Sequence, residues 1–168
     1  MTKVKPLRID GDIAYVPLTK GYEAKIDIAD AELVGGFNWC ADVSHKTVYA
    51  IRKDYSGGKP KTIIMHRMLM GFPNGMDVDH KDCNGLNNIR SNLRRATKSQ
   101  NRHNQKIRKS NSSGYKGVSW DNEAKKWRAQ IKINRKVKNL GRYENPAEAH
   151  AAYCEASKKF HGEFGRTE

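Results

Sequence analysis

Residues 126–133 alternate without a break. Trp127, Ala129, Ile131 and Ile133 take one side of the pattern, and Lys126, Arg128, Gln130 and Lys132 take the other. Successive side chains of a strand point to opposite faces, so this segment predicts an antiparallel strand with one buried face and one basic outer face. Residues 115–120 and 136–143 read as strands on either side of it. Asn145-Pro146-Ala147-Glu148 then has the form of a helix start, with an Asn cap, Pro in the first helical position and Glu in the first turn. Ala149, Ala152, Tyr153, Ala156 and Phe160 form one apolar stripe, and Gly162 ends the helix. The end of the chain is thus predicted to be a small three-stranded antiparallel sheet with a helix lying close on it.

Such a unit needs little apolar material, and this chain has little. Of 168 residues, 37% are hydrophobic and 30% are charged, which fits two thin modules better than one large core. The Ser/Asn/Gly run at residues 110–114 is the best linker in the chain. Before it, residues 13–18 and 23–28 read as strands around a Lys20-Gly21 turn, and residues 47–51 and 61–65 as strands around a turn with Gly57-Gly58. Phe37, Trp39 and Tyr49 are candidate core. Residues 65–70 read as a short helix, residues 76–80 and 93–96 as two strands around a polar loop. A further helix runs from Lys98 to about Lys106, with Thr97 and Gln100 at capping-box spacing.

The formal net charge is +14, and its placement is uneven. Between Asn84 and Asn122 the one acidic residue is Asp121, among nine Lys and Arg. Such a run repels itself unless a polyanion faces it, and nucleic acid comes first among polyanions. Cys40, Cys83 and Cys154 stand far apart without a CxxC pair, against a zinc knuckle. The polar N-terminus argues against a signal peptide, and no window reaches the ~20 apolar residues of a membrane span. The expectation is an intracellular, cytoplasmic protein of a bacterium or a phage-infected host, with no membrane partner.

The central segment carries the chemistry. Asp77-Val78-Asp79-His80, the Asn-rich loop 81–91, Asn92-Leu93-Arg94 and Ser99-Gln100-Asn101 together resemble the HNH endonuclease family, over roughly residues 63–105. The resemblance implies a ββα-metal unit that hydrolyses phosphodiester bonds. A neutral imidazole accepts a proton near neutral pH, so His80 suits a general base. A hard divalent cation, Mg²⁺ or else Mn²⁺, takes oxygen ligands, and the resemblance points to Asp79 and Asn101 for it. His103 and Asn104 are alternatives on the same helix. Asn92 matches the middle Asn of the motif and is expected to brace the loop and orient the base. Asn84, Asn87 and Asn88 are read as turn formers, Asp77 and Asp82 as loop carboxylates, His66 as a packing or phosphate-contact residue, and His150 and His161 as having no special role.

Gly114-Tyr115-Lys116-Gly117-Val118, Lys126-Trp127-Arg128-Ala129, Leu140-Gly141-Arg142-Tyr143 and the alanine-rich helix resemble the AP2 DNA-binding domain. That resemblance puts the sheet in the major groove, with Lys116, Trp120, Arg128 and Lys132 toward DNA and Arg135 and Lys138 near phosphates. Arg94, Arg95, Arg102, Lys106, Arg108 and Lys109 are expected to add contacts. Trp127 fits the core face of its strand.

The whole is an α+β chain. Its expected parts are a β-rich scaffold at 1–62, a nuclease unit at 63–106, a basic linker at 107–113 and an AP2-like DNA-binding domain at 114–168. The expected function is a metal-dependent endonuclease on double-stranded DNA, acting as a monomer and inclined to nick. The competing readings are a DNA-binding regulator on an inactive nuclease fold and, less attractive without an aromatic stacking platform, an RNA-binding protein.

Overall fold

The structure, a computed structural model, describes residues 3–44 and 47–168. The first two residues of the 1–62 scaffold, and His45 and Lys46 within it, lie outside the described residues. The α+β expectation holds: small antiparallel sheets alternate with short helices. The chain forms two compact units, Met1–Thr97 and Lys98–Glu168.

The first unit starts with a three-stranded sheet of β1 (Arg8–Asp10), β2 (Ile13–Pro17) and β3 (Glu23–Asp27) in that order. Strand β1 carries no buried residue, which is why the alternation missed it. Strands β2 and β3 each bury alternate residues, Ala14 and Val16 against Ala24 and Ile26. Helix α1 (Ala31–Gly35) contributes Val34. A second sheet, β4 (Cys40–Asp42), β5 (Tyr49–Asp54) and β6 (Lys61–Ile64), leads into α2 (Met65–Leu69). The hairpin of β7 (Asp77–His80) and β8 (Leu93–Ala96) follows. These pieces share one core, centred on Ile26, Val34, Met65, Val78 and Leu93. The 1–62 region is therefore built into the same core as the β7–β8 hairpin.

The second unit opens with α3 (Lys98–His103), three residues shorter than predicted. Its sheet is β9 (Val118–Asp121), β10 (Lys126–Ile133) and β11 (Lys136–Tyr143), with β10 in the centre. Helix α4 (Pro146–His161) starts as its sequence dictates: the Asn145 side chain accepts the Ala147 N–H at 2.8 Å, and Pro146 fills the first position. Ala149, Tyr153 and Ala156 bury against Val118, Ala129 and Ile131, while Phe160 stays partly exposed at the end of the stripe. Gly117 has a positive φ of 77°, and a Cβ there would run into the Tyr153 ring. Only glycine lets β9 start so close under α4. No helix among the described residues is long and apolar enough to cross a membrane.

Candidate active site

Strand β7 presents Asp79 and His80 side by side, each only 5% exposed. Asp79 stands opposite Arg94 in the hairpin register. The Arg94 guanidinium donates to Asp79 Oδ2 at 2.9 Å from Nε and lies 2.8 Å away at the terminal nitrogen. Arg94, expected on DNA, is therefore held within the hairpin, because cross-strand opposition puts its charge directly against a carboxylate. Arg95, one residue on, takes the exposed side.

His80 packs in a ring cluster. Its imidazole meets His66 edge-on at 4.8 Å between centroids, and Tyr49 lies 5.3 Å from His66 and 5.9 Å from His80. Burial pushes the His80 pKa down, against the opposing pull of the Asn88 hydrogen bond and the Asp82 and Asp79 carboxylates. Burial, with His80 and Arg67 nearby, pushes His66 down to about 3. Both rings are neutral near pH 7, so His80 keeps a lone pair. His66 is a packing residue of this cluster.

The loop between the two strands is ordered by its own amides. Asn92 donates both amide hydrogens, to Asp82 Oδ1 at 2.9 Å and to the Asn87 carbonyl at 2.7 Å, and its Oδ1 accepts the Asp82 N–H at 3.1 Å. Asp82 also takes the Asn84 N–H at 2.8 Å and the Asn87 amide at 2.7 Å. Asn92 thus ties Asp82 and Asn87 together across the loop. The amide against His80 is that of Asn88, which is fully buried with its Oδ1 3.1 Å from His80 Nε2. The sequence reading had Asn88 as a turn former. Its position just before the apolar Ile89, rather than at the loop tip, was the available signal that it points inward.

The β-rich scaffold holds this loop. Lys25 of β3 donates its N–H to the Leu86 carbonyl and accepts from the Asn88 N–H, both at 2.8 Å. The Arg90 N–H donates to Asp27 Oδ2 at 2.7 Å. The Arg90 guanidinium grips the buried Asp30 with Nε–Oδ2 at 2.9 Å and a terminal nitrogen at 2.7 Å from Oδ1.

In the second unit, Asn101 lies half-buried in the first turn of α3. Lys116, expected to face DNA, donates to the His103 and Gln105 carbonyls at 2.7 Å each. A cation at the open carbonyls of a helix end is favoured by both hydrogen bonding and the helix dipole, and this locates Lys116. His103 stacks on His161 at 3.6 Å between centroids, so His161 has a packing role. Arg102, Lys106, Arg108 and Lys116 line an open groove of about 410 Å³ together with Gln130. Lys109 is exposed beside it.

On the sheet, register decides which side chains share a face. Arg128 stands opposite Ser119 and Arg142, on the face away from α4, and Lys132 is exposed beyond it. Arg135 occupies the β10–β11 turn at a φ of 67°. Trp120 stands opposite Trp127, on the face of Val118 and Ala129 that α4 covers, and the two indoles meet edge-on at 5.0 Å. Trp120 is thus one step of strand parity away from Arg128, and it stays 41% exposed. Lys138 is opposite Ile131, and its ammonium lies 5.0 Å over the Phe160 ring. It too is on the helix side, because a bulge between Ala129 and Gln130 shifts the register of β11.

A divalent cation was tested against these donors. Among the described residues no three His, Cys, Asp or Glu side chains converge on one point. A carboxylate such as that of Asp79 is the kind of oxygen donor a hard cation takes, with phosphate and water able to complete its shell. None of the described cysteines forms a disulfide.

The HNH endonuclease profile matches residues 62–103, and the AP2 domain profile matches residues 113–163. The boundary between the compact units falls inside the first match, just before α3. Protein 3.8 of Escherichia phage T7 is 38% identical over 95 residues, 56% of this chain and 78% of that protein. DNA endonuclease I-HmuI of Bacillus phage SP01 is 34% identical over 101 residues, 53% of this chain and 56% of that protein, so the chain spans little more than half of it. An uncharacterized HNH endonuclease of Acanthamoeba polyphaga mimivirus is 31% identical over 148 residues, 86% of this chain and 74% of that protein. No solved structure matches. The chain belongs to the HNH endonuclease family and carries an AP2 domain in its second unit.

Proposed function

We propose that this chain is a metal-dependent endonuclease that hydrolyses phosphodiester bonds of double-stranded DNA. The observation that carries the reading is the Asp79-His80 pair, buried side by side on β7 and held by the braced Asn-rich loop. His80 takes the proton of the attacking water as the new O–P bond forms. Asn92 keeps the loop in shape, and Asp79 and Asn101 would hold the cation. Mg²⁺, or Mn²⁺ in its place, supplies neutralisation of the charge that develops on the leaving oxygen. The Arg94 guanidinium lies 2.8 Å from Asp79 Oδ2 and fixes the carboxylate in the hairpin.

DNA binding falls to the basic surface of the second unit. Arg128, Lys132 and Arg135 supply the outer sheet face and its turn, and Arg102, Lys106, Arg108 and Lys109 supply the groove and its rim. Lys116 contributes by holding the end of α3. A lone HNH centre cuts one strand, so the chain acts as a monomeric nickase, its double-strand cutting requiring a second copy.

The test is supercoiled plasmid with Mg²⁺, with Mg²⁺ plus EDTA, and with His80→Ala. Nicked circles should form with Mg²⁺ alone and only in the unsubstituted protein, with a loss of about 10²-fold or more in the variant. Cleavage in EDTA, or full activity of His80→Ala, would refute the mechanism. Tight binding without any cleavage would make the chain a DNA-binding regulator instead.

A further inference from the structure

We propose that Asn88 is a positioning residue that sets the tautomer of His80. The side-chain oxygen of Asn88 faces His80 Nε2 at 3.1 Å. An amide oxygen only accepts, so Nε2 carries the ring hydrogen and the lone pair is on Nδ1. Proton abstraction by His80 then takes place at Nδ1. A ring in the other tautomer would present an N–H there and could not act as base.

Asn88 is an expensive way to fill that space. Its side chain is wholly buried, and among the described residues its own Nδ2 has no hydrogen-bond partner. A buried donor left unmade costs stability, and an apolar residue of similar volume would avoid that cost. The position is held for what its carbonyl does to His80. The backbone is arranged to the same end. The Asn88 N–H donates to the Lys25 carbonyl at 2.8 Å, and Asn87 forms a parallel bridge with Lys25. Two residues on, Arg90 is fastened to Asp27 and to the buried Asp30. The edge of β3 therefore fixes the Asn88 oxygen against the ring. The HNH profile starts at residue 62 and leaves this support, residues 25–30, outside its match.

The inference rests on the reading of His80 as base, and its test separates the two. Long-range ¹H–¹⁵N spectra of the full chain labelled at histidine nitrogens report which ring nitrogen carries the hydrogen. The unsubstituted protein at pH 7.5 should show His80 with hydrogen on Nε2. Asn88→Leu should lose that preference, and with Mg²⁺ and plasmid its kcat should fall ~10- to 100-fold while KM stays within about two-fold. Asn88→Asp, with an oxygen in the same place, should keep the hydrogen on Nε2. An Nδ1–H tautomer in the unsubstituted protein overturns the proposal with no variant needed. So does an unchanged His80 spectrum in Asn88→Leu, or a kcat within two-fold of normal. Full activity of His80→Ala would instead remove the catalytic reading, while the spectra still decide whether Asn88 sets the tautomer.

Discussion

Burial of His66 makes the stability of the first unit depend on pH. The ring is 8% exposed, and its pKa is pushed down to about 3, first by burial and then by the His80 and Arg67 charges. In the unfolded chain it titrates at about 6.5. The unfolded state therefore binds the proton first as pH falls. The full contribution of neutral His66 is present above pH ~6.5 and is lost progressively down to about pH 3. Urea unfolding at pH 7 and pH 5 should show the unsubstituted protein losing about 2 kcal/mol more than His66→Leu between those two values. Equal losses would mean that the ring is not held neutral. The same residue shows what a sequence cannot display. Met65-His66-Arg67 offered packing and phosphate contact as equal readings, and only the ring contacts among Tyr49, His66 and His80 favour packing.

At the scale of elements, the loop between β7 and β8 is shaped from two sides. Its own amides close it around Asp82, and β3 and Tyr49 hold it from outside. Gly85 lies so close to Tyr49 that a Cβ there would meet the Val48 carbonyl and come within 2.6 Å of the Tyr49 ring. Gly85→Ala must displace Tyr49 from the His66–His80 cluster. The expected cost is about 1–3 kcal/mol of stability, read by urea unfolding, with a fall in cleavage rate. An unchanged rate would show that the ring cluster does not support the base. In the second unit, Gly117→Ala forces a Cβ into Tyr153 at a backbone angle that side chains avoid, and should cost more than about 2 kcal/mol. The helix start at Asn145, the β7–β8 pair and the β10 strand were legible from sequence because each is specified by local pattern. Strand β1 and the shortened α3 were not, since one lacks a buried face and the other ends where Lys116 takes its last carbonyls.

For the whole molecule, a charge of +14 makes DNA affinity steeply salt-dependent. Arg128→Ala should reduce the slope of log K against log salt by about one, while Lys116→Met should disturb α3 more than it disturbs the slope. Filter binding across a salt series distinguishes them, and equal slopes for Arg128→Ala and the unsubstituted protein would take Arg128 off the phosphate backbone. Truncation after Gln105 should impair both DNA binding and cleavage. It removes Lys116 and His161, the partners that hold the helix carrying Asn101. Sequence alone determined the family, the α+β class, the Asp79-His80 pair and the basic sheet face, because spacing along the chain and alternation along a strand are local properties. Tertiary structure decided the rest. Whether Arg94, Lys116, Trp120 and Lys138 meet DNA or the protein depends on register, parity and helix ends. Which of several loop asparagines touches His80 depends on a strand more than sixty residues away. These are distances in space that the order of residues does not contain, and they put Asn88 rather than Asn92 against His80.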